Sequence, residues 1–162
     1  MKKVLLIAAI AVFGFTSVQA QEGGIKAGLT LGLPIGDTSD GYTFAGSVDL
    51  AYLFAVADSF QVGPALSYIH YIGDEIFGFE VEDASFLPVA ASARFYASEQ
   101  FFFGADLGYA VGLSPDGNDG GFYYKPKAGY SFGSVAILAS YSGISVDGGT
   151  FSAIGVGVEF GF

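Results

Sequence analysis

The sequence predicts an all-β fold, an eight-stranded antiparallel up-and-down transmembrane β-barrel. Three observations carry that prediction. Hydrophobicity alternates with period two, not 3.6, in eight separate segments. The charges inside those segments all lie on the face of small residues, never on the greasy face. The connections alternate between tight turns and mostly longer loops, as in outer-membrane barrels. Composition points the same way. Hydrophobic residues make up 52% and charged ones only 14%, where about 25% is usual for a soluble domain. That balance excludes disorder. Zero Cys excludes a disulfide scaffold, a Cys-zinc site, a thiol nucleophile and a lipid-anchored N-terminal Cys. No apolar run reaches the ~18 residues of a spanning helix, so a membrane can only be crossed with strands.

The first segment reads as an address. Met1-Lys2-Lys3 is a basic start, Val4 to Phe15 is an apolar run, and Ser17-Val18-Gln19-Ala20 closes it with small residues. This predicts a secretory signal over 1–20 and a barrel domain over 21–162. Four basic residues then remain (Lys26, Arg94, Lys125, Lys127) against 16 acids. Such a chain does not attract nucleic-acid phosphates.

The strands follow in order. Over 25–34, Ile25, Ala27, Leu29, Leu31 and Leu33 oppose Lys26, Gly28, Thr30 and Gly32. Over 42–56, Tyr42, Phe44, Val48, Leu50, Tyr52 and Phe54 oppose Thr43, Ala45, Ser47, Asp49 and Ala51. Over 60–72, Phe60, Val62, Leu66 and Tyr68 oppose Gln61, Gly63, Ala65 and Ser67. Over 84–97, Leu87, Val89, Ala91, Ala93 and Phe95 oppose Pro88, Ala90, Ser92 and Arg94. The clearest case is 101–113, where Phe101, Phe103, Ala105, Leu107, Tyr109, Val111 and Leu113 oppose Phe102, Gly104, Asp106, Gly108, Ala110 and Gly112. Over 122–132, Tyr124, Ala128, Tyr130 and Phe132 oppose Lys125, Lys127, Gly129 and Ser131. Over 135–146, Val135, Ile137, Ala139 and Tyr141 oppose Ala136, Leu138, Ser140 and Ser142. Over 151–162, Ile154, Val156, Val158, Phe160 and Phe162 oppose Gly155, Gly157, Glu159 and Gly161. Pro64 and Pro126 fall inside strands, and each predicts a bulge or a broken ladder bond.

A soluble sandwich or lipocalin-like barrel would turn its apolar face inward and a charged face to water. Here the polar face is mostly Gly, Ala and Ser with seven charges. It suits a narrow interior, and the continuous apolar face suits lipid.

The residues also resemble a family. The leader, the strand count, "FLPVAASARFY", "FGADLGYAVG" and "KPKAGYSFG" are similar to small outer-membrane β-barrel proteins common in Bacteroidetes, labelled porin-like or outer membrane protein beta-barrel domain. The architecture resembles OmpA and OmpX barrels. Val156, Val158, Phe160 and Phe162 resemble the terminal signal read by the outer-membrane assembly machinery. The resemblance implies the cell outer membrane and no single activity, while an even strand number with short turns at one end and longer loops at the other predicts both termini on the periplasmic side.

Lys26, Asp49, Arg94, Asp106, Lys125, Lys127 and Glu159 are expected to form a lumen charge network. Buried charges must pair, and eight strands leave too little room for an open pore. Asp74, Glu75, Glu80, Glu82 and Asp83 form an acidic extracellular loop. Asp37, Asp40, Asp116, Asp119 and Asp147 share that end. "SPDGNDGG" (114–121) merely approaches a calcium loop, and no EF-hand spacing is present. A solvated rim, bridged to lipopolysaccharide phosphates by divalent ions, is the plainer reading. His70, the sole histidine, is expected to face outward near the rim. Ser67 has the opposite parity and Ile72 takes the next outward position, so no Ser–His pair forms. Two aromatic girdles are expected. One gathers Phe54, Phe60, Phe95, Phe101, Phe103, Phe132, Phe160 and Phe162 at the turn end. The other gathers Tyr42, Phe44, Tyr68, Tyr109 and Tyr124 at the loop end.

The functional expectation is a non-enzymatic, monomeric envelope protein with a side-chain-filled lumen, without cofactor or metal. Its partners would be membrane lipid, lipopolysaccharide, the assembly machinery and an unidentified surface ligand. A narrow or gated porin-like channel is the first alternative. A lipid-modifying enzyme is the second.

Overall fold

Period-two patterning can bury a charged face only if the sheet curls around it, and the computed structural model shows that closure. It describes residues 23–76 and 79–162. The 1–20 signal lies outside the described residues. Eight long strands are β1 (Gly23–Pro34), β2 (Tyr42–Ala57), β3 (Phe60–Gly73), β4 (Ala84–Tyr96), β5 (Phe101–Ser114), β6 (Gly121–Phe132), β7 (Val135–Val146) and β8 (Gly149–Gly161). Each pairs antiparallel with its neighbours in sequence, and β1 pairs with β8 to close an eight-stranded barrel. At the seam Ile25 and Phe162 exchange backbone hydrogen bonds of 3.2 and 2.9 Å.

The turn end holds 58–59, 97–100 and 133–134. Gly133 supplies the positive φ of 76° that the tightest of these needs. The loop end holds 35–41, 74–83, 115–120 and 147–148. The last of these was expected to be longer; β8 starts at Gly149, which leaves a two-residue turn with Gly148 at φ 94°. Two loops carry structure that the period-two pattern does not reach. Gly36–Asp40 forms a 3-10 turn, and Glu75–Ile76 pairs with Phe79–Glu80 in a short hairpin.

Prolines interrupt the ladder without shifting register. The β2–β3 pairing skips Pro64 and resumes in the same register, and β6–β7 does the same across Pro126. Pro88 interrupts β3–β4 in the same way, although the sequence had given it no special place. Each proline keeps its pairing on the other side (Pro64 with Ala91, Pro88 with Ala110, Pro126 with Ala105). A missing N–H costs one ladder and spares the other. Gly63, beside Pro64, is required by close approach: a Cβ there would run into the Tyr52 carbonyl.

Register shifts lie elsewhere, at Tyr42/Phe44, Ala55/Ala57 and Ser85/Phe86. The first corrects an expectation. The shift turns Tyr42 off the outer girdle and into the lumen, against Tyr71 and Phe151 at 5.9 and 5.4 Å.

Candidate functional site

The lumen is built from the inward positions of all eight strands, and it falls into three layers. At the loop end Tyr42, Tyr71, Phe86 and Phe151 pack edge to face or tilted, with ring centroids 4.9–6.2 Å apart. Tyr123 and Ile144 belong to the same buried cluster. At the turn end Phe102, Ala136 and Leu138 are buried, with Tyr96 packed against them. Between the two lids lies a layer of charge.

Two ion pairs cross that layer from opposite walls. Arg94 on β4 donates two parallel hydrogen bonds of 2.7 Å to Glu159 on β8. Lys125 on β6 reaches Asp49 on β2 at 2.9 and 2.8 Å. In an eight-stranded ring, β4 faces β8 and β2 faces β6, so the two pairs span different diameters. A third pair joins neighbours: Lys127 on β6 donates to both carboxylate oxygens of Asp106 on β5 at 2.8 Å.

Each carboxylate is satisfied, as the low-dielectric interior demands. Asp49 also accepts hydrogen bonds from Ser67, Ser47 and Thr30 at 2.7, 2.9 and 3.2 Å. The Arg94 guanidinium sits 4.1 Å over the Phe102 ring, although its Nε has no hydrogen-bond partner among the described residues. Lys26, the seventh residue of the expected network, makes no ion pair among the described residues. It lies at the turn end, its ammonium near Gly161. Room in this layer is scarce. A void of about 20 Å³ beside Lys125, Ser47 and Ser142 has room for about one water.

The loop end treats charge differently. Asp37, Asp40, Asp74, Glu75, Glu80, Glu82, Asp83, Asp116, Asp119 and Asp147 all lie in its connections, with no Lys or Arg. Among the described residues no group of three acids or histidines converges on a metal position. In the 114–121 loop Asn118 serves the loop itself: it donates to the Ser114 carbonyl at 2.9 Å and accepts from the Gly120 amide at 3.0 Å. Phe79, at the loop hairpin, is 78% exposed.

One rim contact is more specific. Asp83 takes the Gly73 amide at 2.9 Å and the His70 ring at 3.1 Å, which closes the base of the 74–82 connection. The Gly73 hydrogen bond, then His70, hold the Asp83 carboxyl below its ordinary range. His70 stands on the outer face beside Tyr68, whose hydroxyl is 3.4 Å from Nδ1. Ser85, which sequence reasoning did not consider, is the cross-strand partner of His70. No Ser85 hydroxyl bond to His70 is present among the described residues, and the Tyr68 hydroxyl occupies the second ring nitrogen. A nucleophile–base–acid chain is not assembled.

The terminal residues Val156, Val158, Phe160 and Phe162 all point outward and are exposed, with Val156 and Val158 in register with Leu31 and Leu29 of β1.

Comparison with known proteins fits this architecture. The chain is similar to the outer membrane protein Ail of Yersinia pestis in a phospholipid bilayer nanodisc, with a TM-score of 0.62 at 17% identity over 88% of this chain and all of that one. It is also similar to Ail in complex with the heparin analogue sucrose octasulfate, with a TM-score of 0.54 at 19% identity over 89% of this chain and all of that one. A de novo designed transmembrane β-barrel matches at 0.55 and 11% identity over 90% of this chain and all of that one. At these identities the likeness concerns the fold. No family model and no curated protein matches the chain, so the Bacteroidetes family is not supported beyond the residues quoted for it.

Proposed function

We propose that this chain is an integral outer-membrane barrel with a plugged lumen and a non-catalytic role at the envelope surface. One observation carries the reading: the barrel is inside out for water. Val156, Leu31 and Leu29 are 65, 60 and 58% exposed, while Arg94 is 1% and Asp106 and Lys125 are 3% exposed. Water would leave that wall uncovered over every strand, and lipid covers it. A charge on a lipid-facing wall costs about 2–4 kcal/mol near the midplane, and the outward strand positions carry none. Residues 1–20 fit this reading as the export signal, the turn end as the periplasmic side and Val156, Val158, Phe160 and Phe162 as the assembly signal.

The two diametric ion pairs and the aromatic lids favour a plug over a channel. Surface function then falls to the loop end. The Yersinia protein's structure holds a sulfated polyanion. In this chain the loop end bears carboxylates without Lys or Arg, so it repels polyanions and fits a cationic partner. Divalent ions bridging to lipopolysaccharide phosphates satisfy the same field.

The test is a gel shift on the protein in outer-membrane fractions, with and without boiling. The reading predicts a heat-dependent shift in that fraction. A soluble periplasmic protein with no shift would overturn it.

A further inference from the structure

The contacts of the Lys125 ammonium are uneven. An ammonium has three N–H donors. Lys125 Nζ lies 2.9 and 2.8 Å from the two oxygens of Asp49, but 3.3 Å from its third contact, Ser47 Oγ. Ser47 gives its own proton to Asp49 at 2.9 Å. Lys125 also lines the void of about 20 Å³, together with Thr30, Ser47, Ser140 and Ser142. The hydroxyls there are short of partners. Ser142 Oγ reaches the Ala153 carbonyl only at 3.5 Å, the outer limit of a hydrogen bond. Ser140 pairs across the ladders with Lys127 and Gly155, so its side chain faces inward. It makes no side-chain hydrogen bond among the described residues. Tyr71 and Tyr123 stand one inward step loop-ward of Ile69 and Lys125, two residues of the lining. Their hydroxyls are buried and have no partner among the described residues.

Size and chemistry together select the occupant. A buried site needs about 10–15 Å³ and two to four polar partners to hold one water, and this void offers both. A cation placed there would meet the Lys125 ammonium, and a halide would meet the Asp49 carboxylate. Neither can donate and accept at once. Water accepts the third Lys125 N–H and donates to serine oxygens. Leaving those groups unmet in a narrow lumen is costly, and one molecule meets several of them.

We infer that the void binds one ordered water that bridges Lys125 Nζ to the hydroxyls of Ser140 and Ser142, and so ties the β6–β2 ion pair to β7. The site depends on the lumen alone, not on the membrane placement or the surface role proposed above. The test is a crystal structure of the detergent-extracted wild type, at a resolution that shows ordered water, beside that of Ser140→Val. The variant replaces one hydroxyl of the lining with apolar bulk. The wild type is expected to show a single density peak at about 2.7–3.2 Å from Lys125 Nζ and from the Ser140 and Ser142 oxygens. The variant is expected to lose that peak and keep the Lys125–Asp49 contact. A wild-type void without density would overturn the inference, as would a peak that does not touch Lys125. A peak that persists unmoved in Ser140→Val would overturn the bridge to β7. Wild-type crystals soaked in bromide report the rival occupant: an anomalous signal in the void would overturn water in favour of a halide. Should the variant fail to fold, the wild-type density and the bromide soak decide alone.

Discussion

The lumen and the loop end of this barrel handle carboxylates in opposite ways. Inside, Asp49, Asp106 and Glu159 each lie within 3 Å of a lysine or arginine nitrogen. Outside, the loop-end connections carry no lysine or arginine, and among the described residues their acids make no ion pair with one. The difference follows from the surroundings. An unpaired ion buried in a narrow lumen carries a desolvation cost of several kcal/mol. At a rim open to water the same ion is screened within about 10 Å and costs little. Interior charge therefore bears on stability, and rim charge stays available for the surface contacts proposed above.

Substitutions can break that contrast, and the largest effect belongs to the lumen. Arg94→Ala leaves Glu159 buried and unpaired, and is expected to cost about 3–5 kcal/mol, read as a lower unfolding midpoint in detergent. The double replacement Arg94→Met/Glu159→Met should cost clearly less than the single one, because neither charge is stranded. A double variant as unstable as Arg94→Ala would mean that the pair itself stabilises the barrel. Lys125→Met should cost about 2–3 kcal/mol, because Ser47, Ser67 and Thr30 still donate to Asp49.

The rim should behave otherwise. Converting Asp74, Glu75, Glu80, Glu82 and Asp83 to their amides should leave the unfolding midpoint unchanged and weaken salt-sensitive binding of polylysine to barrels in detergent. Unchanged binding would remove the recognition role from this loop. The smallest effect is local. The Asp83 carboxyl lies below its ordinary 3.8 because Gly73, and then His70, bond it. A lowered native value stabilises the loop base above the ordinary value and loses that support as pH falls through the native one. Hydrogen exchange at the Gly73 amide should therefore show less protection than expected for the pH below about 4, and Asp83→Asn should weaken that protection at neutral pH.

How far the sequence foretold this molecule depends on which link is followed. Alternation was enough for all eight strands and for which charges share the inner face, because a pleated strand enforces period two at every residue. Partners were a different matter. That Arg94 meets Glu159, and Lys127 meets Asp106 and not Asp49, depends on strand stagger, which no single strand records. Tyr42 was misplaced because a register shift reverses parity within a residue. The lids were hidden for a related reason. Small inward residues mark the middle of the lumen, but Tyr71, Phe86, Tyr123 and Phe151 fill its loop end, where a rule of greasy outside and small inside stops applying. Ser85 was missed because its pairing with His70 is a long-range register fact.

The proposed plug rests on paired charges and aromatic lids that close the lumen. Planar-bilayer conductance of the heat-modifiable wild-type protein tests it most directly. A plugged lumen predicts no reproducible current steps from the wild type. Steps whose size or ion selectivity changes in Lys125→Met or Arg94→Ala would contradict it and make the charge layer the lining of a path.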